Sequence, residues 1–157
     1  MSRREIDRLL EEVPALEGMR RDHLELIAGC GSIRSFEAGD RLFREGEAAD
    51  YFYALRRGRV ALEIFVTGRG PITIETLGPG ELLGWSWIFP PFRWHLDATA
   101  RERGTAIAFD AACLRGKCDE DHELGYELMR RFATLLIERL QATRIQLLDV
   151  YGHAEGE

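Results

Sequence analysis

Short apolar runs separated by glycine fill residues 33–109 and constrain the fold of this chain more than any other feature. The runs are 33–36, 41–43, 51–55, 59–66, 72–77, 98–100 and 105–109. Runs this short, with alternating apolar and polar positions and turn signals between them, are typical of an antiparallel β sandwich or jelly roll. Several glycines lie where a strand must reverse, and glycine adopts the positive φ that such turns often need.

Both ends of the chain have the apolar spacing of helices instead. In the first 30 residues the spacing predicts two short helices that are separated near Pro14 and Gly18, and from 121 to 150 it predicts one long helix. We therefore expect a single α+β domain over 1–157. It has N-terminal helices at 1–30, an antiparallel β jelly roll (double-stranded β-helix) at 31–110 and a C-terminal helical segment at 111–151.

The long C-terminal helix carries two apolar stripes. One is a heptad seam with spacings of four and three residues, formed by Leu136, Leu140, Thr143, Leu147 and Val150. The other is formed by Leu128, Phe132 and Leu135. One stripe can pack on the β roll while the other meets a second copy, so we predict a homodimer through this helix.

Charge and hydropathy narrow the classes of partner. A net charge of -6 and a pI near 5.3 argue against direct nucleic-acid binding, which needs a clustered basic face. The apolar stretches fall well short of the roughly 20 residues that a membrane span needs, so we expect a cytoplasmic protein. The cysteines, Cys30, Cys113 and Cys118, are odd in number and lack Cys-x-x-Cys spacing, which predicts buried or free thiols in a reducing compartment.

Catalytic and metal-binding patterns are weak. The densest set of possible metal ligands is Cys118, Asp119, Glu120, Asp121 and His122, but acidic residues ahead of a helix are more typical of a capping turn. The four histidines, His23, His95, His122 and His153, are far apart in sequence, whereas a cupin metal site needs several to converge. The chain has no phosphate-binding P-loop or dinucleotide fingerprint. We therefore expect neither an enzyme nor a metal.

The order of helices, jelly roll and long helix resembles the cyclic nucleotide-binding domain of the Crp/Fnr family. Local sequence at 36–47, 51–60, 77–84 and 138–143 carries the resemblance. In that family the chain continues into a DNA-reading winged helix-turn-helix, whereas about seven residues, 151–157, follow the helix here. The resemblance implies a stand-alone regulatory or sensor domain that does not bind DNA by itself.

In the resembled family a phosphate-binding cassette opens with a Gly-Glu pair. The glycine lets the backbone approach the ligand, and the glutamate accepts a hydrogen bond from the ribose hydroxyl. Gly80 and Glu81 match this opening and Leu82 follows them. The resemblance therefore implies a cyclic nucleotide, cyclic AMP or cyclic GMP, as the possible ligand.

The far end of the cassette departs from the family. There an Arg-Ser/Thr-Ala triplet clamps the phosphate, whereas alignment backward from strand 98–100 places Trp94, His95 and Leu96 at those positions. Arg93 lies one residue too early, and strand alternation aims it away from the face of Trp94. Arg93 is nevertheless the local cation that could pair with a phosphate, since a guanidinium binds phosphate oxygens through paired hydrogen bonds.

Two interpretations of the cassette remain open. Its aromatics, at 85, 87, 89, 92 and 94, form either a lid that packs over the barrel or the walls of a pocket with Arg93 or His95 as its polar anchor. Thr143 either contacts the base, as its counterpart does in the family, or sets the register of the seam. The candidate ligand-binding residues are Gly80, Glu81, Leu82, Arg93, Trp94, His95 and Thr143. The alternative function is a ligand-free protein-interaction module on the same fold.

Overall fold

A computed structural model describes residues 3–155. Residues 1–2 and 156–157 of the predicted domain, and the side chain of His153, lie outside this description. The helices are α1 (Arg3–Leu10), a 3₁₀ turn (Pro14–Leu16), α2 (Arg21–Ala28), α3 (Ala111–Glu120) and α4 (His122–Glu155). The strands are β1 (Gly31–Phe36), β2 (Arg41–Phe43), β3 (Tyr51–Arg57), β4 (Val60–Val66), β5 (Gly70–Leu77), β6 (Leu82–Leu83), β7 (Asp97–Ala100) and β8 (Gly104–Asp110).

The strands form two four-stranded antiparallel sheets, with orders β1-β8-β3-β6 and β2-β7-β4-β5. Buried side chains from both sheets, among them Leu55 and Leu62, belong to one hydrophobic core. The predicted α+β fold with an antiparallel jelly roll is confirmed, because the short alternating runs became these strands. Gly104 allows the close approach of β3 and β8, since a Cβ atom there would lie 2.1 Å from the carbonyl oxygen of Arg57.

Helix α4 packs against the first sheet through the second of its two apolar stripes. Leu128 and Phe132 are buried, and Leu135 is half-buried against the same core. The Phe132 ring meets Phe52 of β3 edge-on, with ring centroids 5.6 Å apart. The other stripe remains at the surface, where Leu140 is 52% exposed. The homodimer through this surface stays a prediction.

Of the polar residues at 118–122, Cys118, Asp119 and Glu120 end α3, and Asp121 alone lies between α3 and α4 as a cap. The Asp121 carboxylate accepts hydrogen bonds from the backbone N–H groups of Glu123 and Leu124 and so caps α4. Within the described residues, no group of three or more His, Cys, Asp or Glu side chains could hold a metal ion. None of the described helices combines the length and apolar character that crossing a membrane requires.

The expectation of free thiols is wrong for two of the three cysteines. Cys30 and Cys113 form a disulfide, with Cα atoms 5.8 Å apart and a sequence separation of 83. Pairing of Gly31 with Phe109 brings the start of β1 beside the end of β8, and Cys113 follows in the first turn of α3. Cys118 remains free, and burial, with the nearby Asp119 and Asp121 carboxylates, raises its pKa to about 11.

Candidate functional site

The cassette segment, residues 80–96, connects the end of β5 to the start of β7 and is anchored to β3 at its entrance. The backbone N–H of Gly80 donates to the carbonyl of Leu55 at 2.8 Å, and the N–H of Leu55 donates to the carbonyl of Glu81 at 3.0 Å. Gly80 adopts a φ of 88°, which explains why a glycine opens this turn. The entrance that matched the family is therefore held rigidly against the first sheet.

Trp94 fills the space beneath the cassette segment. Its indole is 5% exposed and stacks on Phe43 with ring centroids 3.8 Å apart. Gly84, at a φ of 94°, makes room for the indole, because a Cβ atom on Gly84 would lie 2.3 Å from the ring. The backbone of Trp94 is pinned as well, since its N–H donates to Glu47 and its carbonyl accepts from Gly46.

The cavity that remains around Trp94 is about 10 Å³. It is lined in part by Leu62, Gly84, His95 and Arg139. A volume of this size holds one water molecule at most. Trp94 thus fills the pocket in this conformation and does not merely wall it. Trp87 is also a core residue, because it is fully buried and stacks on Phe52 at 4.5 Å.

Arg93 faces away from the space that Trp94 fills. Its guanidinium is exposed and donates from Nη1 to the carbonyl of Gly46 at 2.9 Å, while its backbone bridges to Ala48. This is the opposite orientation to Trp94 that strand alternation predicts for adjacent residues. The structure therefore does not bring Arg93 together with the other candidate ligand-binding residues.

Of the two remaining candidates, His95 lines the filled cavity and Thr143 does not. His95 lines it, and its Nδ1 is 3.1 Å from the hydroxyl of the buried Ser86. Thr143 is exposed on α4, and its hydroxyl donates to the carbonyl of Arg139 one turn earlier. The described lining of the cavity includes His95 and leaves out Thr143.

Arg139 of α4 is the cation at this site that the sequence analysis missed. Its Nη2 donates to the carbonyl of Leu82 at 3.0 Å, its Nε lies 3.5 Å from a carboxylate oxygen of Glu75, and its guanidinium is 4.7 Å from the centre of the Trp85 ring. Its Nη1 is buried without a hydrogen-bond partner among the described residues. Burial lowers the pKa of this arginine, and the carboxylates of Glu75 and Glu81 oppose that shift.

A signal for Arg139 was present in the sequence. It lies inside 138–143, one of the segments that carried the family resemblance, but only Thr143 of that segment was considered as a ligand contact. Leu82 and Arg139 are 57 residues apart in sequence. Their contact depends on how α4 crosses the cassette segment, and helical periodicity alone does not specify that crossing.

An open groove of about 1040 Å³ lies on the outer side of Arg139, between the 3₁₀ turn, the β5–β6 connection and α4. Gly80, Glu81 and Leu82 line it, and Arg139 lines both the groove and the filled cavity. Burial raises the pKa of the Glu81 carboxyl, and Glu75 raises it further, while Arg139 acts in the opposite direction. The open groove and the cavity around Trp94 thus share Arg139 as a lining residue.

Helix α3 holds the far part of the cassette segment. Nη1 of Arg115 donates to the carbonyl of Trp87 at 2.6 Å, and its guanidinium lies 4.3 Å from the centre of the Phe92 ring. The cassette segment is therefore held by β3 at its entrance, by α4 through Arg139, by α3 through Arg115 and by the loop after β2, which bonds the backbone of Trp94.

Comparisons with known proteins agree with this architecture. A family model described as cyclic nucleotide-binding domain matches residues 33–121. Human cGMP-dependent protein kinase 2 is 33% identical over 76 residues, which are 48% of this chain and 10% of that protein. The CRP-like cAMP-activated global transcriptional regulator of Mycobacterium tuberculosis (strain ATCC 25618 / H37Rv) is 23% identical over 145 residues, which are 92% of this chain and 63% of that protein.

The crystal structure of a cyclic nucleotide-binding domain from Methylobacillus flagellatus KT superposes with a TM-score of 0.77 at 16% identity. The match covers 94% of this chain and 83% of that one. At this identity the structural likeness concerns the fold alone. The chain corresponds to a tenth of the kinase and to just under two thirds of the regulator. Together these matches confirm the resemblance that the segments at 36–47, 51–60, 77–84 and 138–143 predicted.

Proposed function

Because this chain belongs to the cyclic nucleotide-binding domain family, we propose that it is a regulatory domain whose ligand pocket is occupied by its own Trp94. The family is a nucleotide-binding regulatory domain and not a catalytic one. The observation that carries the proposal is the position of the indole, stacked on Phe43 beneath Gly84, where it leaves about 10 Å³ free. Cyclic AMP or cyclic GMP enters this pocket only when Trp94 moves out of it.

The proposed binding residues lie in the open groove and around the space that Trp94 would vacate. Gly80, Glu81 and Leu82 form the entrance, His95 lines the cavity, and Trp94 itself is available to stack on a base once displaced. Arg139 supplies a cation, with one buried N–H-bearing nitrogen unpaired among the described residues. Arg93 and Thr143 remain proposed contacts that need a rearrangement, because both are exposed and bonded to backbone carbonyls.

The proposed signal passes from the cassette segment to α4. Arg139 joins the two through its hydrogen bond to Leu82 and its contact with the Trp85 ring. A ligand that displaces Trp94 binds the form with Trp94 outside the pocket more tightly than the form with Trp94 inside it. This difference in affinity shifts the equilibrium toward the first form and so moves α4. We propose that the exposed seam of α4 pairs with that of a second copy in the cytoplasm. Such a homodimer would convert a shift of α4 into a change of quaternary geometry.

A ligand-free interaction module is the alternative, and the filled pocket favours it. A domain whose pocket is permanently closed regulates through its surface instead. The surface available for a protein partner includes the apolar side chains along the last part of α4, among them Ile145 and Leu148, which are 61% and 68% exposed.

Calorimetric titration with cyclic AMP and cyclic GMP separates these functions. We expect weak binding to the unmodified protein and at least tenfold tighter binding to Trp94→Ala, because this substitution empties the pocket. Phe65→Ala is the control, since it removes an aromatic side chain that is 65% exposed and does not line the cavity. Equal affinity for the unmodified protein and Trp94→Ala would contradict the role of Trp94. No binding to any form would leave the ligand-free module.

A further inference from the structure

We propose that Cys30 and Cys113 form a reversible thiol–disulfide site, reduced by dithiols, that controls how tightly α3 is held to the N-terminal helices. Cys30 directly precedes β1 and follows α2, and Cys113 lies in the first turn of α3. Their Cα separation of 5.8 Å is an ordinary one for a disulfide. The site does not depend on what occupies the pocket beneath the cassette segment.

Helix α3 depends on a few attachments, which is why this bond matters. Of its 10 residues, all of them described, Ala111 and Leu114 have buried side chains. On the side of the N-terminal helices, Lys117 donates from Nζ to the carbonyl of Leu26 at 2.7 Å, and Cys113 is joined covalently to Cys30. A helix with so little buried apolar surface gains much of its order from such links.

The β roll itself does not depend on the disulfide. Beside it, β1 and β8 pair in register from Gly31↔Phe109 to Phe36↔Gly104, and the N–H of Asp110 donates to the carbonyl of Cys30 at 2.9 Å. These backbone hydrogen bonds remain when the two sulfur atoms separate. Reduction therefore loosens α3 and leaves the sheets intact.

Loosening of α3 affects two parts of the domain, the start of α4 and the cassette segment. Asp121, with an extended backbone, is the single residue between α3 and α4, so a change in α3 is passed directly to the start of α4. Arg115 of α3 contacts the cassette segment at the carbonyl of Trp87 and the ring of Phe92. The oxidation state of the pair thus determines how firmly the cassette segment and the first turn of α4 are connected to α2.

The chemistry is a two-electron thiol–disulfide exchange. Cys113 is half-buried and Cys30 is buried, so the thiolate of a reducing dithiol is expected to attack the Cys113 sulfur and release the Cys30 thiolate. The second thiol of the reductant then displaces Cys113 from the mixed disulfide. The protein gains two electrons and two protons, and the reductant leaves as its own disulfide. Oxidation by a disulfide of the same class runs the exchange in reverse.

Cys118 does not compete in this exchange. It is five residues after Cys113 in the same helix, and burial beside Asp119 and Asp121 raises its pKa to about 11. At neutral pH it is therefore almost entirely a thiol, and the thiolate is the form that attacks a disulfide.

The test uses the full chain before and after treatment with dithiothreitol. Denaturing alkylation and intact mass should count one reactive thiol in the oxidised protein and three in the reduced protein, since the chain has three cysteines. Hydrogen exchange should then accelerate about tenfold across 111–120 on reduction, with the 104–110 strand unchanged. Cys118→Ser should show the same acceleration of hydrogen exchange on reduction, with one fewer thiol in each state. Cys113→Ser should exchange across 111–120 as fast as the reduced protein, and dithiothreitol should not change its rate.

Two results would overturn the proposal. Three reactive thiols after mild oxidation, for example with oxidised glutathione, would show that the pair does not form. Equal exchange of 111–120 in the oxidised and reduced protein would show that the bond does not hold α3. If Cys113→Ser fails to fold, the comparison of the two redox states of the unmodified protein still decides the question.

Discussion

The Trp94 indole occupies the position that a side chain on Gly84 would need. A Cβ atom built on Gly84 lies 2.3 Å from the indole, far inside van der Waals contact. The smallest residue and a large aromatic one are thus complementary across the cassette segment. This complementarity leaves a cavity of only about 10 Å³ around the indole.

Gly84→Ala should lower the free energy of unfolding by about 2–4 kcal/mol, because it adds a clash with Trp94 to the strain of a positive φ. Urea denaturation monitored by tryptophan fluorescence measures this loss. Gly39→Ala is the matched control, since Gly39 has a φ of 93° but no described heavy atom within 4 Å of an added Cβ. It should cost about 1 kcal/mol. An equal loss at both positions would mean that Trp94 does not press against Gly84.

Arg139→Ala should destabilise the domain by about 1–3 kcal/mol, because it leaves the buried carbonyl of Leu82 without its donor and removes the contact with the Trp85 ring. Arg144→Ala, on the exposed part of the same helix, should change stability by less than about 0.5 kcal/mol. Thermal or urea unfolding of the two variants compares them directly. A loss for Arg144→Ala as large as that for Arg139→Ala would contradict the bridging role of Arg139.

Alkylation of Cys118 should continue to accelerate with pH up to about 11. Burial disfavours the thiolate and the neighbouring carboxylates repel it, so the reactive fraction rises about tenfold per pH unit below the raised pKa. The measurement is the iodoacetamide rate between pH 7 and 10 on the oxidised protein, with glutathione as the reference. A plateau near pH 9 would show that the thiol has its ordinary pKa.

Leu147→Glu should dissociate a homodimer that forms through the seam of α4, because it places charge in an apolar interface. Sedimentation equilibrium at micromolar concentration measures the effect. Ile145→Glu is the control, because Ile145 is similarly exposed but points from a different face of the helix. Dissociation by Ile145→Glu alone would place the interface on that other face. A monomeric unmodified protein would rule out the seam at this concentration.

The fold could be predicted from sequence patterns because it depends on interactions between residues that are close in sequence. Period-two alternation between glycine turns predicted the sheets, and helical spacing separated the stripe at Leu128 and Phe132, which packs on the core, from the seam at Leu140, which stays exposed. The capping interpretation of the acidic residues holds for Asp121, whose role depends on the next few residues, whereas Asp119 and Glu120 lie in the last turn of α3. Each of these conclusions rests on residues that are neighbours along the chain.

The site was only partly accessible to the same reasoning. Alternation predicted that Arg93 and Trp94 face opposite ways, and in the structure Trp94 is buried while Arg93 is exposed and bonded to Gly46. The alignment of Trp94 with the clamp position stays a prediction. The sequence could not predict whether Trp94 fills the pocket or forms its wall. The free volume depends on how closely Phe43 and Gly84, which are distant from each other in sequence, approach the indole. Arg139 was overlooked for the same reason, since its contacts lie in a different part of the chain.

The sequence by itself determined the architecture, and it predicted a cassette that opens at Gly80 and Glu81 and lacks its standard clamp. The tertiary structure alone decided that the pocket is filled by Trp94, that Arg139 is the cation beside it and that Cys30 pairs with Cys113. The physical reason is that periodicity and turn chemistry act between near neighbours. Volume, charge pairing and disulfides instead depend on distances that exist only after the chain has folded.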